Sequence, residues 1–181
     1  VERNPNYWGK KPEWDRVTFK PIKSGPSRIA ALLTGDVDII DQVPTTDVQK
    51  LKDDPKLRVV QVAGERIIML QVDSNRDLSP FVFTNDGKPF FPNPLRKWEV
   101  RKAISKAINR KGIVDRVMEG NAVAAAQIAT IGMFGYNPDL KPEPYDPEGA
   151  KKLMAQVGLA DGFRLTMHCP NDRYINDAKI C

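Results

Sequence analysis

Asp36, Asp38 and Asp41 are the first residues whose types and spacing could do chemistry, as a metal site or an acid–base pair. On a strand, positions 36 and 38 share a face while 41 points the other way. A hard-cation loop also needs more oxygen ligands in one turn than this run supplies. Turn and strand-end roles are expected, and no metal site is assigned. His168 is the only histidine, so neither a histidine-based triad nor a two-histidine zinc site can be completed within these residues. A structural place at a strand end is expected for it. Cys169 is of the right type for a nucleophile, but Pro170 follows it and no second base is near in sequence, which favours a buried thiol. No catalytic residue and no cofactor emerge.

Asp73-Ser74-Asn75 differs, because three short polar side chains follow directly on the apolar run 67–72. In open α/β sheets, ligands collect beyond the carboxyl ends of strands. Gln42, just after a predicted strand at 37–40, would reach the same edge if the two strands are parallel neighbours. The candidate ligand-binding residues are therefore Asp73, Ser74, Asn75 and Gln42. Capping strands and starting turns is the competing role for all four.

The elements that must position them read as an α/β chain. Residues 17–22 alternate as a strand up to a Ser-Gly-Pro break. A helix with Ile29, Ala30, Leu32 and Leu33 follows, closed by Gly35 where a left-handed residue is wanted. A strand at 37–40 comes next, then a short helix capped by Thr45-Thr46-Asp47, then strands at 57–62 and 66–72, giving β-α-β-α-β-β. Pro80, Pro89, Pro92 and Pro94 punctuate a passage that also carries Phe81, Phe83, Phe90 and Phe91, an anchored rather than disordered stretch. A crossing between structural units is placed there, dividing the chain into 1–76, a crossover at 77–95, and 96–181.

Beyond it, Val100, Ala103, Ile104, Ala107 and Ile108 recur with helical period as a core stripe. A second short helix turns Ile113, Val114, Val117 and Met118 inward and ends at Gly120. Residues 121–135 are small and apolar, and a second proline-rich passage leads to Asp146-Pro147. That pair marks a helix start, with Ala150, Leu153, Met154 and Val157 on one face. A strand at 163–168 and a helix from Asp172 complete the reading.

The 181 residues suffice for one domain or for pieces of two, and no apolar run approaches the roughly 20 residues of a membrane-spanning helix. The net charge of +5 comes from 28 basic and 23 acidic side chains mixed along the sequence, a solvated surface rather than a nucleic-acid footprint. The densest basic stretch, 96–111, reads as a water-facing stripe. Two cysteines twelve positions apart make no disulfide framework and do not fix the compartment. Val1-Glu2-Arg3 has no signal-peptide pattern, and both ends read as internal to something longer.

Three stretches in order resemble one family, the extracytoplasmic solute-binding proteins of ABC importers of the peptide/nickel class. They are Arg3-Asn4-Pro5-Asn6-Tyr7-Trp8-Gly9, then Arg28-Ile29-Ala30-Ala31-Leu32-Leu33-Thr34-Gly35-Asp36-Val37-Asp38-Ile39, and Val100-Arg101-Lys102-Ala103-Ile104-Ser105-Lys106-Ala107-Ile108-Asn109-Arg110 with Ile113-Val114 and Gly120. The resemblance implies part of a two-lobed, periplasmic-binding-protein-like (type II) fold, a mixed sheet with flanking helices. It implies an internal piece of about a third of such a protein, with 1–76 in one lobe and 96–181 opening the other. It further implies a periplasmic or extracytoplasmic place, a small-molecule or peptide ligand, an ABC permease as membrane partner, no nucleic acid, and a monomer at full length. The segment matching Asp73-Ser74-Asn75 lies by the ligand cleft in such proteins. The alternative from another class is a domain of a hydrolase or transferase whose catalytic residues lie outside these residues.

Overall fold

The computed structural model describes residues 1–171 and 173–181, so the helix start expected at Asp172 lies outside the described residues. The chain divides into two compact units, Val1–Val48 and Gln49–Cys181.

In the first unit, helix α1 (Gly25–Thr34) begins where the Ser24 hydroxyl accepts from the Ser27 amide at 3.4 Å and Pro26 sits in the opening turn. It ends as expected on Gly35, whose φ of 79° is open to glycine, and whose N–H reaches the Ala31 and Leu32 carbonyls. Ile29 is its buried residue. The strands expected at 17–22 and 37–40 are not formed, and Asp36, Asp38 and Asp41 stand exposed on irregular backbone. Pairing in this unit is confined to the antiparallel contact of residues 1–3 with 15–17, where Val17 N donates to Val1 O and Arg3 N to Asp15 O, each at 2.8 Å. Alternation marks a segment that fits a pleated surface, but a strand also needs a neighbour to take its N–H and C=O groups. Among the described residues these two segments have no ladder partner.

Helix α2 (Thr45–Asp53) spans the division between the units, with Asp47 in its first turn and Lys50 and Lys52 in its last, both matching the helix dipole. In the second unit the strands expected at 57–62 and 66–72 are likewise unpaired. The ladder that does form joins β1 (Val82–Phe83) to β2 (Arg164–Leu165), antiparallel, with Val82 opposite Leu165. The strand expected at 163–168 thus keeps two ladder residues, extended by Thr166 N donating to Phe81 O at 2.8 Å.

Its partner lies inside the proline-rich passage. Val82, Leu95 and Val100 form the buried core, and Val72, Phe90, Ile104, Met154, Val157, Leu159 and Phe163 pack against them. Of the phenylalanine anchors read from the sequence, Phe90 serves this core, its ring edge to face with Phe163 at 6.0 Å, whereas Phe81 and Phe91 are exposed. Two helices cover it, α3 (Trp98–Ala107) and α5 (Pro147–Gln156). The Asp146 carboxylate caps α5 by accepting from Gly149 N at 2.8 Å.

The expected stripe of α3 stops short. Ala107 is exposed and Ile108 leaves helical geometry, because the Asn109 side chain accepts from Gly112 N at 2.8 Å and starts a new turn. That turn is α4 (Arg110–Gly112), continued by a wider helical turn at Ile113–Val117.

A last short helix, α6 (Asp177–Ile180), precedes Cys181, which is bonded to Cys169 with Cα atoms 6.4 Å apart. This corrects the expectation of a buried thiol. Both cysteines are exposed, and one turn plus one helical turn folds a twelve-residue separation back on itself. His168 is also exposed, its ring edge to face with Phe81 at 5.1 Å.

Candidate functional site

The run 67–72 ends in a tight turn, with Ser74 N donating to Val72 O at 2.9 Å. What fixes the turn is a residue twenty positions away. Asn93 is 2% exposed, and its Nδ2 donates to the carbonyls of Asp73 at 2.7 Å and Arg76 at 3.0 Å. Its Oδ1 accepts from Leu95 N at 3.0 Å, and its own N–H donates to Asp77 O at 2.8 Å. One buried amide thus satisfies backbone groups of the 73–77 turn and of the short 3₁₀ turn Pro94–Arg96 together.

Within this frame the predicted residues separate. The Asp73 carboxylate turns inward, accepting from Arg76 N at 3.4 Å with Arg76 Nη1 at 3.7 Å. A hydrogen bond from Ser79 first, then the Arg76 amide and guanidinium, holds it below the usual carboxylate range against the opposing effect of burial. Ser79 itself is 1% exposed. Asp73 is therefore engaged by the protein, whereas Ser74 and Asn75 are exposed. A hydroxyl and an amide carried on a braced turn can donate to and accept from a polar solute.

Gln42 belongs to the first unit. It has a left-handed φ of 50°, is exposed, and its carbonyl accepts from Arg28 Nη2 at 2.9 Å, while Arg28 Nη1 holds the carbonyls of Ile22 and Lys23.

The Asp36 carboxylate accepts from the Thr34 hydroxyl at 2.8 Å at the end of α1. Among the described residues no three His, Cys, Asp or Glu side chains are grouped to hold a metal ion. Asn93 and Ser79 escaped the sequence reading. Asn93 carried one usable signal, an asparagine directly before Pro94 at a helical start, whereas nothing in the sequence marks Ser79.

The profile of the bacterial extracellular solute-binding proteins, family 5 (middle region), matches residues 1–181. Among curated proteins, the dipeptide-binding protein of Escherichia coli K12 is 27% identical over 161 residues, covering 89% of this chain and 27% of that protein. The heme-binding protein A of Haemophilus influenzae is 28% identical over 158 residues, covering 87% of this chain and 26% of that protein. The chain thus spans about a quarter of the length of these relatives. Among solved structures, the ABC transporter-associated periplasmic binding protein DppA from Helicobacter pylori, in complex with the peptide STSA, superposes with a TM-score of 0.61 at 29% identity. That match covers 89% of this chain and 29% of the other.

Proposed function

Since the chain belongs to the bacterial extracellular solute-binding proteins of family 5, we propose that it is part of a two-lobed, extracytoplasmic binder that captures a short peptide and delivers it to an ABC permease, without catalysing a reaction. The observation that carries the choice of ligand is the likeness to a structure solved with a bound tetrapeptide, at 29% identity. The braced turn supports the same reading from within the chain. Peptides offer amide, ammonium and carboxylate groups, and exposed Ser74 and Asn75 supply short donors and acceptors whose backbone is fixed in advance by Asn93.

In this reading residues 1–76 belong to one lobe, 77–95 cross over, and 96–181 open the second lobe. Capture works by closure: a solute that touches both lobes binds the closed state better and shifts the population towards it by that difference in affinity. Gln42 is a separate candidate contact carried by the first unit. The binder acts as a monomer and uses no nucleic acid, metal or cofactor.

Asn75→Ala in the intact protein is expected to weaken peptide binding about ten-fold by calorimetry, the loss of one or two hydrogen bonds to a charged or polar terminus. An unchanged affinity would remove Asn75 from the site.

A further inference from the structure

Helix α1 opens beside the segment that carries Gln42, and one side chain joins the two. Side chains on a helix lean towards its N-terminus, so Arg28, in the opening turn of α1, reaches back past Gly25. Its Nη1 donates to the carbonyls of Ile22 and Lys23, each at 2.9 Å, and its Nη2 donates to the carbonyl of Gln42 at 2.9 Å. Three acceptors from two separate segments thus converge on one planar fork, a geometry that a lysine ammonium, a single point charge, does not reproduce. The approach of the two segments has a second, independent sign. A Cβ on Gly25 would lie 2.8 Å from Pro44 Cγ, so the chain just after Gln42 closes on the start of α1 to a distance only glycine allows.

Gln42 needs that hold. Its φ of 50° is left-handed, a conformation that crowds Cβ against the backbone and persists outside glycine where the surroundings enforce it. With the backbone so fixed, the Gln42 side chain stands exposed and offers both an amide donor and an amide acceptor. Arg28 is not placed to be a contact itself. It is half-buried, Nη1 and Nη2 are engaged on backbone carbonyls, and the buried Nε has no hydrogen-bond partner among the described residues. No carboxylate among the described residues pairs with it either, so the guanidinium is set against carbonyl dipoles alone and serves the geometry of the chain.

We propose that Arg28 is a positioning residue of the solute site, whose guanidinium sets the left-handed backbone at Gln42 and so aims the Gln42 side chain at the bound peptide. This rests on the peptide-binding reading above, in which Gln42 is a contact. Arg28 acts by preorganisation. Without it the backbone at Gln42 is released, and the apparent affinity falls by the fraction of time the competent conformation is populated.

The test titrates the intact, ligand-stripped protein by calorimetry with the peptide it retains most strongly from a mixture of di- to pentapeptides. Gln42→Ala is expected to weaken binding about ten-fold, and Arg28→Lys by a similar factor. The double variant should bind no more weakly than Gln42→Ala alone, because without the amide nothing is left to aim. Its urea midpoint, by contrast, should fall by the full amount that Arg28→Lys costs in the unchanged background, since the three carbonyls lose their fork in both. Where Arg28→Lys fails to fold, Arg28→Gln, which keeps two donors on a neutral head, takes its place. Affinity losses that multiply in the double variant would overturn the positioning role. Full affinity in Arg28→Lys or in Gln42→Ala would overturn it equally, and all of these results leave peptide binding standing. Retention of no peptide by the unchanged protein would overturn both the assignment and the reading beneath it.

Discussion

Asn93 governs the candidate turn more than any residue within it. Its side chain makes three hydrogen bonds to backbone groups from a buried position. Asn93→Ala leaves two carbonyls and one N–H without that partner, and is expected to cost about 2–3 kcal/mol in urea unfolding. Asn93→Asp keeps the acceptor for Leu95 N but replaces the two donated bonds with a carboxylate facing carbonyl oxygens, so it should be no less damaging. Asp73 adds a pH dependence. Its folded-state carboxyl is held below its ordinary range, so its contribution to stability is present above the unfolded value near 4 and is lost as pH falls through the lower folded value. Asp73→Asn is expected to flatten the acid limb of a stability-versus-pH profile. At this scale the sequence marked Asp73, Ser74 and Asn75 but missed the residue that braces their turn, because twenty positions separate Asn93 from Asp73 and only the fold brings them together.

At the scale of elements, the α3–α5 pair carries the core. Val100 is fully buried in α3, and truncation to Ala is expected to cost about 2 kcal/mol by denaturant unfolding, from lost burial and the cavity left behind. A charged cluster ties α3 to the approach of α5. Lys106 Nζ lies 3.0 Å from Asp146 and 3.4 Å from Glu143, and Lys102 pairs with Glu143. Glu143 is held below the usual range first by Lys102, Asp146 first by the Gly149 amide and then by Lys106, and Lys106 is raised first by Asp146. The two carboxylates stabilise the fold above their unfolded values and lose that contribution as pH falls through their lower folded values. Lys106 stabilises below its unfolded value near 10.4 and loses the contribution as pH rises through its higher folded value. Glu143→Gln is expected to weaken both limbs of the pH profile, and a profile matching the unchanged protein would deny the cluster any role.

Helices α1, α3 and α5 were legible because caps and apolar period are local: Gly35, Asp146 and the Val100–Ala103–Ile104 spacing state them outright. Strands were not, since pairing depends on segments distant in sequence. The run 66–72 has strand composition without a ladder, while Val82–Phe83 pairs from among prolines.

For the whole molecule, family membership carries what no side-chain cluster does. The sequence motifs pointed to that family because Tyr7-Trp8-Gly9, the α1 stretch and the α3 stretch occur in the right order. The chain spans 27% of the length of the E. coli dipeptide-binding protein. Large apolar side chains such as Trp8, Val62, Ile128 and Phe134 are exposed in the described structure. The Cys169–Cys181 disulfide agrees with an oxidising, extracytoplasmic compartment. The most direct test of the central claim is the native mass spectrum of the intact protein, purified without denaturation from an extracytoplasmic fraction. A protein mass carrying a non-covalent adduct that is released and sequenced as a short peptide is the result the account predicts. A bare protein that also shows no thermal shift across peptide, sugar and metal panels would contradict it.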